Sequence, residues 1–212
     1  MDAPSPPPVH GSTNPPSADN KHTQRRLATR AELLKAARQL IREGRFRAAS
    51  TEEISAMAGV SRTAFYLHFT SKDHLLDVLQ DDVSEWYRRQ FRNLDAQTAA
   101  TRAGLVGWFK AFLKSLASAH HAVALLSGRE NGMEWFRGTQ LRGEAVLILA
   151  SQIPAMRLVK ADGRMCDERR IRLLLLIFQV EQLCQYLALS APDEGDMPLE
   201  ILADEFLRFM AD

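Results

Sequence analysis

Beyond residue 20, apolar residues recur every three to four positions along most of the chain, and no stretch of useful length alternates with period two. That periodicity predicts an all-α fold. A first helix is expected over 23–43, with Leu33, Ala37, Leu40 and Ile41 on one stripe and Gly44 ending it. A fourth runs from Ser71 to about Arg92, and further helices fall near 102–118, 121–129, 133–152, 167–190 and 198–211. Breaks lie at Gly128, Gly132, Pro154, Asp162-Gly163 and Pro192 to Pro198. Arg169 to Leu189 is apolar around most of its circumference, the pattern of a helix covered on more than one side. The last helix is amphipathic, with Leu199, Leu202, Phe206, Phe209 and Met210. Residues 1–20 hold six of the nine prolines and almost no bulky apolar group, so a disordered tail is expected there.

The segment 50–76 carries the most specific pattern. Ser50 and Glu53 have capping-box spacing, and Ile54, Met57 and Ala58 share the next apolar face. Gly59 can take the left-handed backbone that ends a helix, Val60 turns an apolar group inward, and Ser61 is a good N-cap for the following helix. Phe65 and Phe69, four residues apart, mark that helix's inner face. Thr63, Ala64 and Leu67 then point outward, flanked by Arg62, Tyr66 and His68. This is a helix-turn-helix pattern, with a groove-sized second helix bearing small, apolar and basic groups suited to thymine methyls, guanine acceptors and phosphates.

Charge follows the same division. Residues 21–80 carry 11 Lys+Arg against 6 Asp+Glu, a net +5, while 81–212 carry 16 against 18, a net −2. Asp2 and Asp19 give 1–20 a further −2, so the overall +1 hides a basic N-terminal domain. A chain of 212 residues with 46% apolar content suffices for a small domain at 21–80 and a larger one at 81–212. The two cysteines, Cys166 and Cys184, have no metal or disulfide spacing, and adjacent His120 and His121 diverge on a helix. No phosphate loop, nucleophile elbow or paired-carboxylate site appears, so no catalytic residue, cofactor or metal is expected. The N-terminus lacks a secretory pattern, and apolar runs such as Leu173 to Phe178 are too short to span a bilayer. A soluble, cytoplasmic protein without a membrane partner is the expectation.

The run AGVSRTAFYLHFTSKDHLL closely resembles the DNA-binding domain of the tetracycline-repressor (TetR) family, most tightly over residues 46–80. Ala-Gly-Val-Ser, the aromatic-Tyr-x-His-Phe run and Ser-Lys-acid-x-Leu follow in register. Two positions depart: Thr63 stands where many members have glycine, and Ser55 where alanine is usual. Thr63 lies where residues vary with operator sequence, so it bears on which DNA is read. The resemblance implies that Arg62, Thr63 and Ala64 open a recognition helix and contact bases, with Leu67 beside them. Tyr66 and His68 would reach phosphates and Lys72 would clamp the DNA backbone, with the N-cap serines Ser50 and Ser61 at the same surface. A phosphate at Lys72 would also relieve a positive group placed at the positive end of a helix dipole. Lys21, Arg25 and Arg26, at the start of helix one, form a basic cluster placed to touch flanking phosphates.

The resemblance further implies a homodimer, in which the last two helices of each subunit form a four-helix bundle and space two recognition helices for a palindromic double-stranded DNA operator. It also implies a small-molecule effector in the second domain. Trp86, Trp108, Phe112, Met133, Trp135, Phe136 and Phe178 come from different helices and are expected to converge on a cavity, with Gln179 and Gln182 as polar partners. The expected function is a repressor that leaves its operator when a largely apolar or aromatic molecule binds. A ligand-insensitive architectural DNA-binding protein and a regulator controlled by a protein partner stand as alternatives.

Overall fold

The computed structural model describes residues 18–118, 134–159, 163–189 and 194–212, and the described residues hold nine α-helices and no strand beyond one bridge between Val159 and Met165. The helices are α1 (Ala18–Arg42), α2 (Thr51–Met57), α3 (Arg62–His68), α4 (Lys72–Arg92), α5 (Ala96–Ala99), α6 (Arg102–Ser118), α7 (Glu134–Gln152), α8 (Asp167–Leu189) and α9 (Met197–Ala211). The expected helix at 121–129 lies outside the described residues. The all-α fold and most boundaries match the periodicity. Helix α1 starts five residues before the expected position, because nothing after Pro16 forbids a helix. The short α5, capped by Asp95 accepting from the Thr98 amide at 2.7 Å, and a 3-10 turn at Pro154–Met156 carry too few residues to show a period.

Two cores stack along α4. The N-terminal core gathers Leu33, Ala37, Leu40 and Ile41 of α1, Phe46, Ile54 of α2, Phe65 and Phe69, and Leu75, Leu79 and Val83 of α4. The second core gathers Tyr87 and Phe91 of the same helix with residues of α6 to α9. Trp86, half-buried between them, packs against both. Helix α4 therefore joins the domains without a linker.

Helix α8 packs on α6, α7 and α9. Asp167–Ala188 within it is long and apolar enough, by length and composition alone, to cross a membrane. The stretch is not an unbroken apolar run, since it includes Arg172 and Glu181 on either side of Leu173–Phe178. Its contacts on three helices cover one part of that apolar surface, and Ile171, Leu175, Phe178 and Tyr186 stay exposed on the other.

Candidate nucleic-acid interface

Three serine caps build the N-terminal domain's second half. The hydroxyls of Ser50, Ser61 and Ser71 accept from the amides of Glu53 (3.1 Å), Ala64 (3.1 Å) and His74 (3.0 Å), each satisfying a donor that its helix start would otherwise leave open. Ser50 and Ser61 thus serve the helix starts. The reciprocal half of the capping box is absent: the Glu53 carboxylate takes Arg45 at 2.6 Å instead. Gly59 joins α2 to α3 with φ of 67°, a left-handed backbone that a side chain would strain. On α2 the inner positions are Ile54 and Ser55, whereas Met57 faces solvent. Met57 was expected inward; Ser55 goes in because its hydroxyl donates to the Thr51 carbonyl at 2.6 Å.

Helix α3 buries Phe65, and the adjoining Phe69 is buried beside it. Its outer surface exposes Arg62, Thr63, Tyr66 and Leu67, the last 72% exposed, with Ala64 half-buried at the edge. An apolar side chain held so far into solvent gains nothing from folding and suits contact with a partner. Arg62 pairs with Glu52 of α2 at 2.7 Å and lies over the Tyr66 ring at 5.7 Å. The Tyr66 hydroxyl lies 3.4 Å from Thr51 Oγ1, and the hydrogen bonds to Thr51 and Arg62 hold its phenol below its usual pKa.

His68 closes the far end of α3. It lines a cleft of about 160 Å³ with Thr23, Arg26, Leu27 and Arg30 of α1. Burial, then the charges of Arg26 and Arg30, push its pKa down, which keeps the ring neutral at neutral pH. Lys21, Arg25 and Arg26 lie on the exposed first turns of α1, before its first buried residue, Leu33. Arg30, whose guanidinium stacks over Phe69 at 5.3 Å, is a basic neighbour that sequence reading missed. Its spacing of four from Arg26 was the available signal.

Lys72 takes a different place from the one expected. Its ammonium donates to the carbonyls of Arg47 (2.8 Å), Ala49 (3.0 Å) and Phe46 (3.3 Å), and lies 5.4 Å from the Phe46 ring. All three N–H donors are engaged within the protein, so the reading of Lys72 as a phosphate clamp gives way to that of a fastener. It holds the α1–α2 loop just before Ser50.

The expected ligand-lining residues do not form one set. Trp86, Trp108 and Phe112 do meet, with ring centroids 6.0 Å (Trp86–Phe112) and 5.8 Å (Trp108–Phe112) apart. Their indole N–H groups are already satisfied: Trp86 donates to Ser115 Oγ at 2.8 Å and Trp108 to the Gln90 carbonyl at 3.0 Å. Phe178, Gln179 and Gln182 lie on the exposed outer face of α8. The two glutamines line an open groove of about 510 Å³ with Leu183, Pro198, Ile201, Leu202 and Glu205, between α8 and α9. They are thus removed from the tryptophan cluster, because a helix apolar all round does not announce which side is inward. Met133 and the side chains of Trp135 and Phe136 lie outside the described residues.

A basic helix-turn-helix head carried on a helical second domain through one shared helix defines a class of two-domain, all-helical proteins. Residues 33–79 match the family of bacterial regulatory proteins, tetR family. It is 30% identical over 97 residues to the HTH-type transcriptional repressor KstR2 of Mycobacterium tuberculosis (strain CDC 1551 / Oshkosh), covering 46% of this chain and 48% of the relative. It is 29% identical over 111 residues to KstR2 of Rhodococcus jostii (strain RHA1), covering 52% and 53%. The matches thus span about half the length of these curated relatives. A TetR-like transcriptional regulator from Rhodococcus sp. RHA1 shares the fold with a TM-score of 0.59 at 16% identity, over 86% of this chain and 96% of that one.

Proposed function

We propose that this protein is a DNA-binding transcriptional regulator, a cytoplasmic repressor without catalytic activity, that places α3 in the major groove of a palindromic operator. The observation that carries this reading is the outer surface of α3: Arg62, Thr63, Tyr66 and Leu67 are exposed together, on a helix fixed from behind by Phe65 and Phe69. Arg62, Thr63, Ala64 and Leu67 read base edges. Tyr66, His68 and the α1 cations Lys21, Arg25 and Arg26 meet phosphates, with Arg30 added to that group.

The working form is a homodimer. Ile171, Leu175, Phe178 and Tyr186 make an exposed stripe along α8, and Met197 and Ile201 continue it on α9. Such a stripe in water favours a second copy of itself, which would set two α3 helices about 34–36 Å apart. Release by a small, largely apolar or aromatic effector in the second domain completes the proposal, with the Trp86–Trp108–Phe112 cluster as the wall nearest α4.

The test is selection of bound duplexes from a random pool, repeated in the presence of a panel of apolar and aromatic metabolites. A selected palindrome, with a dimer in sedimentation that Leu175→Arg splits, is the expected result. Binding without sequence preference would overturn the repressor reading in favour of an architectural protein.

A further inference from the structure

Glu52 is a carboxylate at the edge of the surface that the proposed function turns toward a polyanion. Its pKa is lowered, first by a hydrogen bond from its own backbone amide and then by the Thr51 hydroxyl, so it is charged at neutral pH. A negative group there weakens binding to any DNA. Yet it belongs to a closed ring of four side chains, three of them exposed and Thr51 half-buried. Glu52 Oε1 holds Arg62 Nη1 at 2.7 Å, and the Arg62 guanidinium lies over the Tyr66 ring at 5.7 Å. The Tyr66 hydroxyl lies 3.4 Å from Thr51 Oγ1, and Thr51 donates back to Glu52 Oε2 at 3.1 Å. The ring links the first turn of α2 to the outer face of α3, and its one contact with a core aromatic is Tyr66 edge-on to Phe65, with centroids 5.4 Å apart.

An arginine at the start of α3 has two destinations on DNA: a guanine edge, reached by two parallel N–H donors, or the nearest phosphate. The second carries no sequence information. A carboxylate on one nitrogen and a ring beneath the guanidinium plane restrict that choice. We propose that Glu52 is a specificity-determining residue: it aims Arg62 at a guanine edge and repels the phosphates that would otherwise capture it. The inference rests on the DNA-binding reading and names what sharpens it.

The test compares wild type, Glu52→Gln and Glu53→Gln on the selected operator and on an unrelated duplex of equal length. Glu53 is the control, because it carries the same charge one residue away but pairs with Arg45 at 2.6 Å. Glu52→Gln is expected to bind the unrelated duplex more tightly, to narrow the operator preference by about tenfold, and to lose a guanine at one position per half-site in repeat selection. Glu53→Gln is expected to keep both the preference and the guanine. The proposal is overturned if Glu52→Gln retains them, or changes them no more than Glu53→Gln does. A wild type with no preferred sequence overturns the regulator reading and this proposal together; a preference that survives in Glu52→Gln overturns this proposal alone.

Discussion

Two ion-pair networks divide this molecule. On the N-terminal domain, Arg62 and Glu52 meet at 2.7 Å with side chains 62% and 51% exposed. In the second domain, Arg142 of α7 and Glu181 of α8 also meet at 2.7 Å, but at 17% and 13% exposure. The buried pair is extended: Tyr87 of α4, nearly inaccessible, donates its hydroxyl to the other Glu181 oxygen, and Arg142 lies over the Phe178 ring at 4.9 Å. Equal distances hide opposite physics. Water can replace either partner of the exposed pair, so its charges can exchange partners with little change in stability. Water has little access to the part-buried pair, so a lost partner is poorly replaced there and the pair ties three helices into one arrangement.

The sharpest way to break this contrast is Arg142→Ala, which strands the Glu181 carboxylate. A loss of about 3–5 kcal/mol in urea unfolding at neutral pH is expected, and a midpoint close to wild type would show that water reaches the site. Next is Lys72→Met, which keeps the stem but removes three donors from the carbonyls of 46, 47 and 49. It should cost about 1–3 kcal/mol, and operator affinity should fall through displacement of Ser50. An unchanged salt slope would set it apart from loss of a phosphate contact.

A smaller effect comes from titration. Burial raises the Glu181 pKa above 4.5, against the pull of Arg142 and the Tyr87 hydroxyl. The folded protein then holds this proton more tightly than the unfolded chain does. Its contribution is full below the ordinary carboxylate range and is lost as pH rises through the raised value. Glu181→Gln should flatten that part of the stability–pH curve; an identical curve would mean that the carboxylate titrates normally. Least of all, Arg62→Ala should leave the urea midpoint unmoved while abolishing operator preference. A marked loss of stability there would erase the contrast between the networks.

The helices and the turn were legible in the sequence because their signals are local. Gly59, the serine caps and the Phe65–Phe69 spacing act within one or two turns of chain. What stayed hidden are the partners brought together by the fold. The Lys72 ammonium reaches back to carbonyls 23 to 26 residues earlier, and Tyr87 finds Glu181 at a separation of 94. Residue type shows that a lysine needs acceptors, not whether carbonyls or phosphates supply them. For Phe178 the difficulty was rotational: on α8 apolar residues occupy every side, and only the packing of α6, α7 and α9 selects the outward one. Arg30 sits between these cases, in reach of a helical-spacing argument that stopped at Arg26.

Trp86 has one more consequence. Its indole packs against both cores and is pinned to α6 by the bond to Ser115. It is therefore a built-in optical gauge at the joint between the domains. Any slip of the head against the body must change the solvent around that ring, and so the colour of its emitted light.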